Sequence, residues 1–191
     1  MLVLITVLAG LSAAAAAGMR IALPLLMIGL LYNDKLWSDV PLLSTVQPQV
    51  LVGILTSWSI FELLGSKKFM GQRIIQLVQL LFSLPCGAMM AITVIKLSNH
   101  PIKPLWLFGL IGGLLALVLK LVHVGWFFRL RGIPIWAVFA EDALCIFLVL
   151  AAFNAPKNGG LIAMLLLWLA IRSADAWKDW QQKTIQQQKP D

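Results

Sequence analysis

The chain has 191 residues, of which 60% are hydrophobic and 12% charged, and a formal net charge of +7. A soluble globule of that size needs more polar surface than this to face water, so a soluble fold is excluded. Nucleic acid is not the expected partner either: the basic residues lie mostly between apolar runs, where the positive-inside bias explains them and anionic lipid is their natural contact.

A bilayer core about 30 Å thick takes about 20 apolar residues per helix. On that measure the expected fold is all-α: a polytopic integral membrane protein of about six transmembrane helices. Residues 1–180 read as one transmembrane helical bundle and 181–191 as a polar C-terminal tail. The first apolar segment runs from about Leu2 to Tyr32. As one helix it would measure about 46 Å, too long for a plain span. Gly18 and Pro24 lie inside it, and Pro24 has no amide hydrogen to donate to the carbonyl of Arg20. A kinked or broken first helix is therefore expected between Gly18 and Pro24. The segment has the small residues of a signal peptide but no basic start, so it reads as a retained helix. Whether it spans once or is re-entrant stays open.

The second segment covers about Pro48 to Ser66, the third Gln72 to Lys96, the fourth Pro104 to Phe128 and the fifth Pro134 to Ala155. The sixth starts near Gly160 and continues through Trp180. Prolines near several starts suit first-turn positions. Trp37, Trp106, Trp126, Trp136, Trp168, Trp177 and Trp180 fall mainly near span ends, as interfacial anchors do. Cys86 and Cys145 sit in apolar runs without metal or disulfide spacing and read as small buried residues. Gly109 with Gly113, and Gly112 with Ala116, form thin faces for close helix packing, as do Ala13–Ala17 and Gly53 with Ser57.

The connections alternate in charge. Those after segments one, three and five carry Lys35, Lys96, Lys103 and Lys157, four in all. Those after two and four, with the C-terminal root and tail, carry Lys67, Lys68, Arg73, Arg129, Arg131, Arg172, Lys178, Lys183 and Lys189, nine in all. Both termini are then expected in the cytoplasm of a bacterial inner or thylakoid-type membrane.

Ionisable groups at the centre of a membrane helix cost about 2.5–3.5 kcal/mol each, so they need partners, water or a function. The candidates are Arg20, Glu62, Lys120, His123, Glu141 and Asp142. Around the turn at Arg129–Gly132, Lys120 and Glu141 come to the same depth, about 12–13 Å from the face. A pair between Lys120 and Glu141 or Asp142 is expected, with His123 one turn from Lys120. Gln72, Gln76, Gln79 and Ser83 draw one polar stripe on segment three that ends before Pro85. Segments two to five thus place their polar groups in one half of the membrane. Two readings stand: a cytoplasm-facing polar cavity with an ion, proton or substrate site, or buried pairs that fix packing. Arg20, beside the expected break, fits either an anionic group at exposed helix ends or a carboxylate on a neighbouring helix.

No phosphate loop, dinucleotide fingerprint, nucleophile elbow or His-rich metal motif occurs, so no enzymatic activity is expected and no cofactor or metal is named. The stretches GLSAAAAAGMRIALPLLMIGLL, FELLGSKK and WAVFAEDALCIFLVLAAFNAP resemble a bacterial and cyanobacterial membrane family called domain of unknown function 4126. The resemblance rests on an early Gly-x-Arg-x-x-x-Pro element, here Gly18, Arg20 and Pro24, and a late Glu141-Asp142 pair. It implies a small multi-helix protein and no particular activity. The leading functional expectation is an accessory or assembly subunit of a larger membrane complex, photosynthetic or bioenergetic, with lipid and other membrane subunits as partners. The alternative is a small transporter or permease with a cytoplasm-facing polar cavity.

Overall fold

A computed structural model of the chain describes residues 2–32, 47–65, 69–97, 104–130 and 135–187. Lys35, Trp37, Lys67, Lys68, Lys103, Arg131 and Lys189 lie outside the described residues, as do the side chains of Gln72, Arg129, Trp177, Lys178, Trp180 and Lys183. Every described element is helical: α1 (Leu2–Met19), α2 (Ala22–Tyr32), α3 (Pro48–Gly65), α4 (Phe69–Leu97), α5 (Leu105–Leu130), α6 (Ile135–Asn154) and α7 (Pro156–Gln187).

The first apolar segment is two helices. Arg20 still donates its backbone amide to Ala16 at 3.1 Å, closing the last turn of α1. Ile21 bends the chain, and α2 restarts at Ala22. Pro24 then falls in the first turn of α2, where amides have no intrahelical partner to lose.

The expectation of about six membrane-crossing helices is corrected. Three described helices are long and apolar enough to cross a membrane: Arg73–Leu97, Leu105–Phe127 and Trp136–Asn154. The break at residues 20–21 divides the 31-residue first segment into an α1 whose apolar stretch is Val3–Met19 and an α2 of 11 residues. The apolar stretch of α3 is only Gln49–Glu62. Lys157 and Arg172 bracket the apolar part of α7. Counting apolar residues along the chain overlooked where the backbone breaks and where polar residues cut a run short.

α1 stands at the centre, packed against α4, α5, α6 and α7. Its alanines explain how four helices reach one: Ala13 to Ala16 are fully buried, and short side chains let backbones approach closely. At Gly18 a Cβ would lie 2.8 Å from the Cα and carbonyl oxygen of Ala116 on α5. The α4–α5 pair is the most extensive contact and is built the same way, with a Gly113 Cβ falling 2.8 Å from the carbonyl of Leu84. Gly159 and Gly160 of α7 sit against Ser12 and Leu8 of α1. The Ser12 hydroxyl donates to the Leu148 carbonyl at 2.7 Å, tying α1 to α6. α3 lies at the margin, against α2 and, more lightly, α4. Outward faces carry large apolar residues such as Leu81, Trp106, Trp136 and Leu161, the surface a bilayer covers.

Gly18→Ala and Gly113→Ala, which force backbone apart, should each destabilise the protein by about 1–3 kcal/mol. Gly125→Ala on α5, where a Cβ meets nothing within 4 Å, should be neutral or stabilising. Thermal unfolding in mild detergent checks the contrast.

Candidate functional site

The break between α1 and α2 leaves Arg20 buried, with its side chain only 7% exposed. A guanidinium at that depth needs carboxylates, and two helices supply them. Arg20 Nε lies 2.7 Å from Asp142 Oδ1 on α6, and Nη1 lies 3.9 Å from Glu62 Oε2 on α3. The contact to Asp142 is close, but its angle falls short of a good hydrogen bond, since Arg20 Nε has no hydrogen-bond partner. It is best described as an ion pair.

Glu62 carries the network onward. Its Oε1 accepts from Gln79 Nε2 on α4 and from Trp58 Nε1, one turn earlier on α3, both at 2.8 Å. Gln79 Oε1 accepts in turn from Lys120 Nζ on α5. The Lys120 ammonium also donates to the Met19 carbonyl at 3.3 Å. That carbonyl is among the last of α1, so Lys120 caps the negative end of the helix that Arg20 terminates. One layer of polar groups therefore joins the α1–α2 break to α3, α4, α5 and α6.

The expected pair of Lys120 with Glu141 or Asp142 is replaced by this arrangement. Lys120 bonds Gln79 and a main-chain carbonyl, Asp142 pairs with Arg20, and Glu141 Oε2 lies 3.4 Å from His123 Nε2. Which side chains meet depends on helix rotation, which a residue count along one helix does not give. Glu141 and Asp142 are adjacent on α6 and point to different partners, as the 100° step between helix neighbours requires. Gln76, Gln79 and Ser83 all face inward, so the stripe on α4 is a buried one. Gln76 Oε1 and Glu141 Oε1 are buried without a hydrogen-bond partner among the described residues. Ser83 instead donates to the Leu80 carbonyl of its own helix at 2.8 Å.

Beside this layer a groove of about 610 Å³ opens between the end of α1, α5 and α7. His123 forms part of its wall with Met19, Trp126, Arg172 and Ser173. Trp126 Nε1 donates to Ser173 Oγ at 2.6 Å, which puts the C-terminal end of α5 and the Arg172 end of α7 on one side. The Arg172 guanidinium lies 5.4 Å from the Trp168 ring centroid, within cation–π range.

Sequence reasoning missed three parts of the site. Trp58 was legible, because it precedes Glu62 by four residues on one helix face. The Met19 carbonyl and the groove along α7 had no local signal, since both arise from packing. Cys86 and Cys145 are buried, and Cys145 Sγ contacts the Ala16 carbonyl at 3.6 Å. Among the described residues no three His, Cys, Asp or Glu side chains gather as a metal ion requires.

A family model described as a domain of unknown function (DUF4126) matches residues 7–176. No curated protein and no solved structure matches the chain.

Removing Arg20 strands two carboxylates. Arg20→Ala should cost about 3–5 kcal/mol, as breaking a buried ion pair does. The double variant Arg20→Ala/Asp142→Ala should cost less than the sum of its single variants. Unfolding midpoints of the four proteins, measured in one detergent, check the coupling.

Proposed function

The chain belongs to the family described as domain of unknown function 4126, whose model covers residues 7–176, and it is a small multi-pass membrane protein. We propose that it is a small transporter of ions or solutes, with the buried layer around Arg20 as its working site. The observation that carries this reading is the convergence of charged groups from α3, α5 and α6 on the α1–α2 break. Five charged side chains at that depth are expensive, and apolar residues would pack the same helices at lower cost. A helix broken inside the membrane is the usual device for holding ions or charged groups in transporters. Two buried acceptors without hydrogen-bond partners among the described residues, on Gln76 and Glu141, add capacity to bind. On this reading the residues bind and carry charge and catalyse nothing.

The orientation follows the positive-inside argument. Arg73, near the start of α4, and Arg172, on α7, belong to the more basic set of connections and ends in the sequence. We assign that set, and with it the groove beside His123, to the cytoplasmic side of a bacterial inner or thylakoid-type membrane.

A second reading, a subunit of a larger membrane complex, is favoured by α3 alone. A Cβ at Gly53 would meet nothing within 4 Å, and Val50, Gly53, Ser57 and Phe61 line an open hollow on that helix. The other thin faces are already occupied inside the bundle: Gly109, Gly112 and Gly113 serve the α4–α5 contact.

Proteoliposomes should pass rubidium, chloride or protons faster than empty liposomes, and Asp142→Asn, which weakens the hold on Arg20, should slow that flux about tenfold. No flux of any of these, and no solute-driven swelling, would overturn transport. A mild-detergent purification that yields a stoichiometric foreign membrane subunit would favour the second reading instead.

A further inference from the structure

The charges of the buried layer do not sum to zero. Arg20 and Lys120 supply two positive charges, whereas Glu62, Glu141 and Asp142 supply three negative ones. Among the described groups in contact with the layer, one further positive charge is needed. A net charge held away from water is costly, and one added proton removes it.

The geometry says where that proton sits. Asp142 and Glu62 both face the Arg20 guanidinium, and Glu62 Oε1 already accepts two hydrogen bonds. Glu141 has no Lys or Arg within ion-pair distance among the described residues. Its Oε2 faces His123 Nε2 at 3.4 Å, near enough for a proton to pass but not aligned as a hydrogen bond, and both His123 Nε2 and Glu141 Oε1 are buried with no hydrogen-bond partner among the described residues. Two bases with one proton between them can hold it in either of two ways, as a carboxylic acid beside a neutral imidazole or as a carboxylate beside an imidazolium.

We infer that Glu141 and His123 share one exchangeable proton, and that this proton is the ion coupled to transport. The inference rests on the transport reading and names its coupling ion. His123 is the link to the outside. Its Nε2 points into the layer, while its side chain, 24% exposed, forms part of the groove wall between α5 and α7. Proton transfer between His123 and a solvent water entering the groove, as imidazolium and water to imidazole and hydronium or the reverse, needs no charged group to leave its partner. Binding the proton neutralises the layer; releasing it leaves one negative charge beside Arg20 and Lys120. That charge repels the Asp142 and Glu62 carboxylates and competes with them for Arg20, so proton occupancy sets how tightly α3 and α6 are held to the α1–α2 break.

The groups that act on the pair come from every element around it. Lys120 lies one turn away on α5, Arg20 at the break, Asp142 beside Glu141 on α6, Glu62 on α3 and Arg172 in the groove wall on α7. α4 contributes neutral Gln76 and Gln79.

The test uses the full chain in lipid, with isotope labels on His and Glu. The Glu141 carboxyl carbon and the His123 ring nitrogens should change together across a pH series, with one shared midpoint, because a shared proton belongs to the pair. In Glu141→Gln the His123 signal should shift its midpoint, and proton flux into dye-loaded proteoliposomes under a potassium diffusion potential should fall about tenfold or more. His123→Gln should leave Glu141 titrating alone and slow the flux less. Independent midpoints, or no change at either residue across the series, would overturn the shared proton, even if rubidium or chloride still moves. A shared midpoint without flux of any ion would leave the proton site standing and sink the transport reading. Should Glu141→Gln fail to fold, the signals of the unmodified chain and of His123→Gln decide the matter by the same criteria.

Discussion

A guanidinium inside a membrane protein cannot stand without carboxylates, and the position of Arg20 makes that requirement organise the fold. α1 ends there, α2 begins two residues later, and the charge lies where the helix has broken. α3 and α6 are drawn to it through Glu62 and Asp142. Lys120, from α5, caps the end of α1 and reaches Glu62 through Gln79 of α4. Five of the seven described helices thus meet through one layer of polar groups, and α2 follows directly from the break. α7 enters separately, by small residues packed on α1.

The two kinds of force divide the labour. Packing holds the helices close: alanines of α1 and glycines of α4 and α5 remove the side chains that would keep backbones apart. Packing of small residues is tolerant of rotation and sliding, because a run of alanines offers nearly the same surface from one position to the next. The polar layer is not tolerant. Turning α6 by one residue would take Asp142 away from Arg20 and leave His123 without its acid. The polar groups therefore set the register, at a cost in desolvation that closer apolar packing would have avoided.

The same layer is not fully closed, and this bears on function. Among the described residues Gln76 Oε1 and Glu141 Oε1 are buried without hydrogen-bond partners, and His123 stands between the layer and a groove of about 610 Å³. The proposed transport role rests also on these unfilled acceptors beside an open groove.

The sequence by itself determined the solvent and the ingredients. Hydropathy identified a helical membrane protein, the arrangement Gly-x-Arg-x-x-x-Pro located the break, and the rarity of charge in apolar runs singled out Arg20, Glu62, Lys120, His123, Glu141 and Asp142. These are local properties, carried by composition, by the missing amide of Pro24 and by the cost of desolvation. The number of membrane-crossing helices and the pairing of charges were decided only by tertiary structure. A span depends on where the backbone breaks and on which polar residues end an apolar run, so against an expected six, three helices among the described residues are long and apolar enough to cross. A pair depends on helix rotation: depth alone put Lys120 beside Glu141, whereas packing turned Lys120 toward Gln79 and Met19 and Glu141 toward His123. Depth is read from a residue count along one helix, but azimuth is settled by every helix packed against it.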